Sequence, residues 1–177
     1  MSVYRRFHDH GLPSLITTNL ADRSPLFTRP DAATALIRSL VEARDQLHFR
    51  LYAWVLMPDH LHLVVGMPPG IRSGAVMRLV KARFARRWNH QMKISGPIWQ
   101  TRFHERLLTS EKALLAAIDY VHANPVTTGL VLAAEDYTLS SARAWAERSQ
   151  AELLSHEPAV ALLRNLQVKP GVGTAPA

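Results

Sequence analysis

An apolar run broken by a turn restricts this chain more than any other stretch. Residues 51–56 are apolar with aromatics, Met57-Pro58-Asp59 follows, and His60-Leu61-His62-Leu63-Val64-Val65 resumes the run. Proline fixes φ and aspartate bonds to nearby backbone, so Pro58-Asp59 supplies turn chemistry between two strands. A β-hairpin is therefore predicted over residues 49–67. Strand side chains alternate between faces, which sends His60 and His62 to one side and Leu61, Leu63 and Val65 to the other. Two imidazoles on one face make half of a metal site. The same pattern also suits two hydrogen-bonded histidines at a core edge, so the rest of the chain has to supply a third ligand and a nucleophile.

Other elements follow from periodicity. Residues 12–18 read as a first strand, followed by a polar turn over 19–25. From Asp31 to Leu47, the apolar positions Leu36, Ile37, Leu40, Val41 and Leu47 form a helical stripe, with Pro30 acceptable in the first turn. Residues 73–92 form a second helix with Met77, Val80, Phe84 and Trp88 on its buried stripe. Gly96-Pro97 breaks the chain, and residues 99–109 read as a fourth strand. Ser110 caps a third helix whose stripe is Leu114, Ile118 and Val121, and Pro125 should end it near Asn124. The order is strand, helix, strand, strand, helix, strand, helix. An α+β fold is predicted: a ferredoxin-like β-α-β-β-α-β core with one antiparallel sheet and an added helix. Residues 1–148 make the domain, with a short helix over 140–148. Residues 149–177 make a tail, with a further helix around 158–166 and a disordered Gly-, Pro- and Ala-rich end from residue 169.

Charge says what such a fold could hold. The net charge is +7, from 21 Lys and Arg against 14 Asp and Glu. Nine basic residues and one acidic residue, Glu105, fall between Arg72 and Arg106, a concentration that suits phosphates. On the second helix Arg78, Arg83 and Arg86 lie off the apolar stripe, beside Arg87, so their guanidinium groups are predicted to face outward. These four and Arg102 are the candidate phosphate contacts. Trp88 shares the stripe and is predicted to be core. With no cysteine, disulfides, thiolate zinc sites and cysteine nucleophiles are excluded. No apolar run reaches bilayer-spanning length, and the charged start lacks a signal-peptide core, so a cytoplasmic protein without membrane association is expected.

Tyr120 and Asn124 stand four residues apart, one turn above the other on a single helical face. Such a pair is commonly a packing tyrosine and a turn asparagine. Three further tyrosines exist, but only Tyr120 shares a helical face with a potential ligand.

The motifs together resemble a known family. His60-Leu61-His62 is similar to the His-hydrophobic-His signature of single-tyrosine nucleases and transposases, and residues 120–131 resemble their tyrosine helix. The match is strongest to REP-associated tyrosine transposases, relatives of the small insertion-sequence transposases. Their Trp-x-Leu-Met-Pro-(Asp/Asn)-His-(hydrophobic)-His motif reappears at Trp54 to His62, and their Gly-Pro-(apolar)-Trp-Gln-x-Arg-Phe segment at Gly96 to Phe103. Relatives often carry Gln in place of Asn124, and Tyr-Asp in place of His104-Glu105, which leaves the role of His104 open.

The resemblance implies a catalytic domain acting on single-stranded or hairpin DNA. His60, His62 and Asn124 would bind a divalent metal, Mg²⁺ or Mn²⁺, and Tyr120 would be the nucleophile. The residue types suit that chemistry, because hard cations accept imidazole nitrogen and amide oxygen and offset charge on phosphate. A covalent phosphotyrosine conserves the energy of the broken phosphodiester, so no nucleotide-binding glycine loop is required, and none is present. A replication initiator or relaxase would use the same chemistry but needs more chain. A DNA-binding regulatory protein without turnover is the reading from a different class, and the choice between monomer and homodimer stays open.

Overall fold

The computed structural model describes residues 11–147. The elements are β1 (Ser14–Asn19), α1 (Pro30–Leu47), β2 (Arg50–Leu56), β3 (His60–Gly66), α2 (Ser73–Met92), β4 (His104–Leu107), α3 (Glu111–Thr127) and α4 (Ala142–Ala146). The strands form one sheet in the order β2-β3-β1-β4, and every neighbouring pair is antiparallel. This is the predicted ferredoxin-like arrangement with α3 added. The short helix predicted over 140–148 is the five-residue α4. The helix expected around 158–166 and the end from residue 169 lie outside the described residues.

Helices pack on both faces of the sheet, on one of them over β2 and β3. Ile16, Leu51, Trp54, Leu56, Leu61, Leu63 and Val65 pack beneath α1 and α2, against Leu36, Leu40, Val80 and Phe84, and Trp88 belongs to the same core. On the other face Tyr52, Ala53, Val55 and Val64 meet Leu114, Ala117, Ile118 and Val121 of α3. Each large apolar side chain taken from water contributes roughly 1.5–3 kcal/mol. The hairpin of β2 and β3, apolar on both sides, is therefore the most firmly held part of the sheet.

One irregularity sets its geometry. Leu51 pairs with Val65 but Ala53 pairs with Val64, which leaves Tyr52 as the extra residue of a β-bulge. Leu51 faces α1 and α2, whereas Tyr52 and Ala53 both face α3, so the alternation of β2 is reset before it reaches the turn. Gly66 accepts the bulged ring, since a Cβ there would lie 3.0 Å from Tyr52 Cε2. On β3, whose pairing with β1 is regular, His60 and His62 share a face with Val64 by plain alternation, on the α3 side.

Two predicted boundaries are corrected. Helix α3 begins as expected, with Ser110 Oγ accepting from Ala113 N at 3.1 Å, but it does not stop at Asn124. Pro125 lies inside its last turn, and the helix ends where Gly129 takes φ 72°. There Leu130 N donates to Pro125 O at 2.8 Å and Gly129 N to Val126 O at 2.9 Å. That pair of bonds satisfies the last carbonyls, and together with the burial of Pro125 it outweighs the proline's lost donor. The fourth strand is also shorter than predicted. Trp99 makes only a lone bridge to Leu20, and regular pairing starts at His104, because the side chain of Trp99 turns into the core and Lys81 Nζ takes Gln100 O at 2.6 Å.

Candidate active site

The turn and the strand pairing together aim the two histidines. His60 and His62 project from β3 to the α3 side, with their Nε2 atoms 3.1 Å apart and ring centroids 4.7 Å apart. His60 Nδ1 donates to the Asp59 Oδ1 carboxylate oxygen, and the tautomer that this bond favours carries its lone pair on Nε2. Asp59 is itself held, since Arg23 Nε donates to its Oδ2 at 2.8 Å and the same guanidinium donates to Asn19 Oδ1. His62 is 4% exposed, and its Nδ1 lies 2.7 Å from Thr17 Oγ1. A hydroxyl both donates and accepts, so Thr17 supports either tautomer of His62. Burial first, and the neighbouring His60 second, push the His62 pKa down to about 4 against a smaller opposite pull from Asp59. At neutral pH that ring carries no charge and has no extra proton to release on meeting a cation.

Helix α3 brings Tyr120 over this pair. Its ring stands edge-on to His62 at 5.5 Å between centroids and 79° between planes, and it is half exposed. Asn124, one turn later, donates from Nδ2 to Tyr120 O at 2.8 Å. Among the described residues no hydrogen bond joins Asn124 to either histidine, and its amide is turned to the Tyr120 carbonyl. His122 lies between Tyr120 and Asn124 in sequence and points inward, with Nε2 2.8 Å from Ser141 Oγ. Ser141 Oγ accepts from Trp54 N at 3.0 Å, which ties α3 to β2. Burial pushes the His122 pKa down to about 4.

The arginines divide into two groups. Arg78, Arg86 and Arg102 are exposed. Arg78 borders a cleft of about 380 Å³ together with Lys81, Pro97, Trp99 and Phe103. Arg83 and Arg87 do not face outward as predicted. Arg87 donates to Ser39 Oγ at 2.8 Å and to both oxygens of Glu42, and Arg83 donates to Gln46 Oε1 at 2.5 Å and pairs with Glu42. Burial would raise the Glu42 pKa, but Arg87 and Arg38 outweigh it and hold the carboxylate below its usual range. Glu42, on the α2-facing side of α1, draws both guanidinium groups inward.

Asp59, Thr17, Arg23 and Asn19 are site residues that the sequence reading missed. In the sequence Asp59 carries turn chemistry and a place in the family motif, and neither marks it as a support for His60. Thr17 carries a signal only once β1 is registered against β3, where it is the partner of His62. Among the described residues no three His, Cys, Asp or Glu side chains gather to hold a metal. Among the same residues no helix is long and apolar enough to cross a membrane.

A ferredoxin-like sheet that presents two histidines from a central strand to a tyrosine on a packed helix is the frame of a transposase class, and the model of that class, IS200-like transposases, matches residues 16–124. The chain belongs to this transposase family. More narrowly, the REP-associated tyrosine transposase of Escherichia coli (strain K12) is 30% identical over 143 residues, which is 80% of this chain and 82% of the relative. A relative from Haemophilus influenzae is 29% identical over 151 residues, 80% of this chain and 85% of its own length. A solved structure of a REP-associated tyrosine transposase bound to a REP hairpin superposes with a TM-score of 0.67 at 30% identity, covering 82% of this chain and 86% of that one.

Proposed function

We propose that this chain nicks and rejoins single-stranded DNA beside a hairpin, with Tyr120 as nucleophile and a divalent ion, Mg²⁺ or Mn²⁺, held by His60, His62 and Asn124. The observation that carries the reading is the Tyr120 ring set edge-on against His62 while the two imidazole Nε2 atoms converge. The hairpin substrate is supported by the relative bound to a REP hairpin. The donor set fits a hard or borderline divalent ion, because both rings are tethered through Nδ1 and His62 is uncharged at neutral pH. When bound, such an ion offsets the charge that builds on the scissile phosphate.

Tyr120 Oη attacks phosphorus, the bond to the 3′ oxygen breaks, and that oxygen leaves as a free hydroxyl carrying a proton equivalent to the one lost by the phenol. The 5′ phosphate stays on the tyrosine. Rejoining reverses these roles, since a 3′ hydroxyl attacks the phosphotyrosine and returns the phenol. Half exposure of Tyr120 lets a strand of DNA reach it, and Asp59 and Thr17 keep the imidazoles oriented meanwhile.

Tyr120→Phe tests the reading. End-labelled hairpin DNA carrying a single-stranded extension is incubated with Mn²⁺ and run on a denaturing gel. Wild type should give a protein–DNA adduct and Tyr120→Phe none, with hairpin affinity and melting temperature unchanged because the ring still fills its place. An adduct in the variant would move the nucleophile elsewhere. Tight hairpin binding without any adduct in wild type would favour a regulatory DNA-binding protein.

A further inference from the structure

We infer that the part of the sheet's α3 side left open over β1 and β4 seats the DNA strand flanking the cut bond, with His104 and Arg106 as its phosphate contacts. The assignment builds on the reading of Tyr120 as nucleophile and adds the path of the substrate. Directly opposed residues of antiparallel strands share a face. Thr17 is the partner of His62 on one side and of His104 on the other, and Leu15 likewise joins Val64 to Arg106. Since His62 faces Tyr120 and Val64 lies in the α3-side core, His104 and Arg106 stand on that same face.

Helix α3 packs on β2 and β3. On β1, Ser14, Ile16 and Thr18 are buried on the far face while Leu15, Thr17 and Asn19 stay half-buried on this one, which leaves a shelf beside Tyr120. Its outer rim is β4, exposed along its whole length. Two strand spacings of about 4.8 Å put His104 roughly 10 Å from His62. His104 and Arg106, two residues apart, are separated by about 6.7 Å along the strand, close to one nucleotide of extended backbone. Among the described residues neither side chain has a hydrogen-bond or ion-pair partner. The one acid of β4 does not neutralise them, because Glu105 points to the opposite face and accepts from Ser14 Oγ and Ser73 Oγ, each at 2.8 Å. An imidazole and a guanidinium on the rim of an open shelf, one nucleotide apart and beside a nucleophile for phosphodiesters, suit a phosphate backbone.

The test reads binding rather than cleavage. Fluorescence anisotropy in EDTA compares a blunt hairpin with the same hairpin bearing a single-stranded extension across the cut site. Wild type should bind the extended form about ten-fold more tightly, and a His104→Ala/Arg106→Ala variant should lose most of that gain while keeping its affinity for the blunt hairpin. Arg106→Lys should keep the gain. So should Arg38→Ala, which removes the same charge from α1 on the other face. Retained blunt-hairpin affinity also reports that the double variant is folded. The inference is overturned if the extension adds nothing in wild type, if the double variant keeps the gain, if it loses blunt-hairpin affinity as well, or if Arg38→Ala loses the gain equally. Because no adduct is scored here, failure of this assignment and failure of Tyr120 as nucleophile are separate results.

Discussion

Thr17 Oγ1 lies 2.7 Å from His62 Nδ1, so a hydroxyl on β1 sets the ring angle of a histidine on β3. Partners of this kind commonly tune a metal-binding histidine by one or two orders of magnitude in affinity. Thr17→Val keeps the shape and removes the hydroxyl. Mn²⁺ affinity, followed by calorimetric titration, should drop by roughly 10- to 100-fold, and Thr17→Ser should restore most of it. Equal affinities in all three proteins would mean that the hydroxyl does not orient the ring.

Acid should unfold the protein by way of its buried imidazoles. His62 and His122 have pKa values pushed from 6.5 to about 4 by burial. Between those values the unfolded chain binds more protons than the folded one, so stability rises with pH across that window. The stabilisation is complete above about pH 6.5 and is lost as pH falls toward 4, by up to about 3 kcal/mol for each group. Urea midpoints measured from pH 4.5 to 7.5 should climb and then level off. His122→Gln should flatten part of the climb, and a wild-type midpoint independent of pH below 6.5 would contradict the argument.

The arginines of α2 should separate into two phenotypes. Arg87→Ala leaves Glu42 with less compensation in a partly buried seam and should lower stability by roughly 1 kcal/mol. Arg78→Ala and Arg86→Ala remove exposed charges, and should leave the melting temperature alone. If either contacts a phosphate, its loss reduces the slope of log K against log salt by about one. Unchanged salt slopes in both would exclude these positions from the DNA contact surface.

The extent to which sequence foretold structure follows from what each residue interacts with. The hairpin, the shared face of His60 and His62, and the core role of Trp88 were legible because strand and helix periods are local. The continuation of α3 through Pro125 was not, since the terminal bonds that hold that turn come from Gly129 and Leu130, beyond the proline. Nor was the inward turn of Arg83 and Arg87, which depends on Glu42, some forty positions earlier. Thr17 and Asp59 were invisible as supports for the histidines until strand register and turn geometry brought them into contact.

The bulge at Tyr52 has a consequence for how this hairpin tolerates change in length. Deleting one residue just upstream of the turn would exchange the faces of Val55 and Leu56 and disrupt both cores at once. A deletion at Tyr52 itself would instead restore plain pairing from Leu51 to Val65 onward and leave His60 and His62 in register with β1, because that pairing contains no irregularity. The extra residue thus acts as slack in the outer strand. A change of length in β2 at this point should therefore leave the histidines in place, its cost falling on the Tyr52 ring and on the bond from Trp145 Nε1 to Tyr52 O.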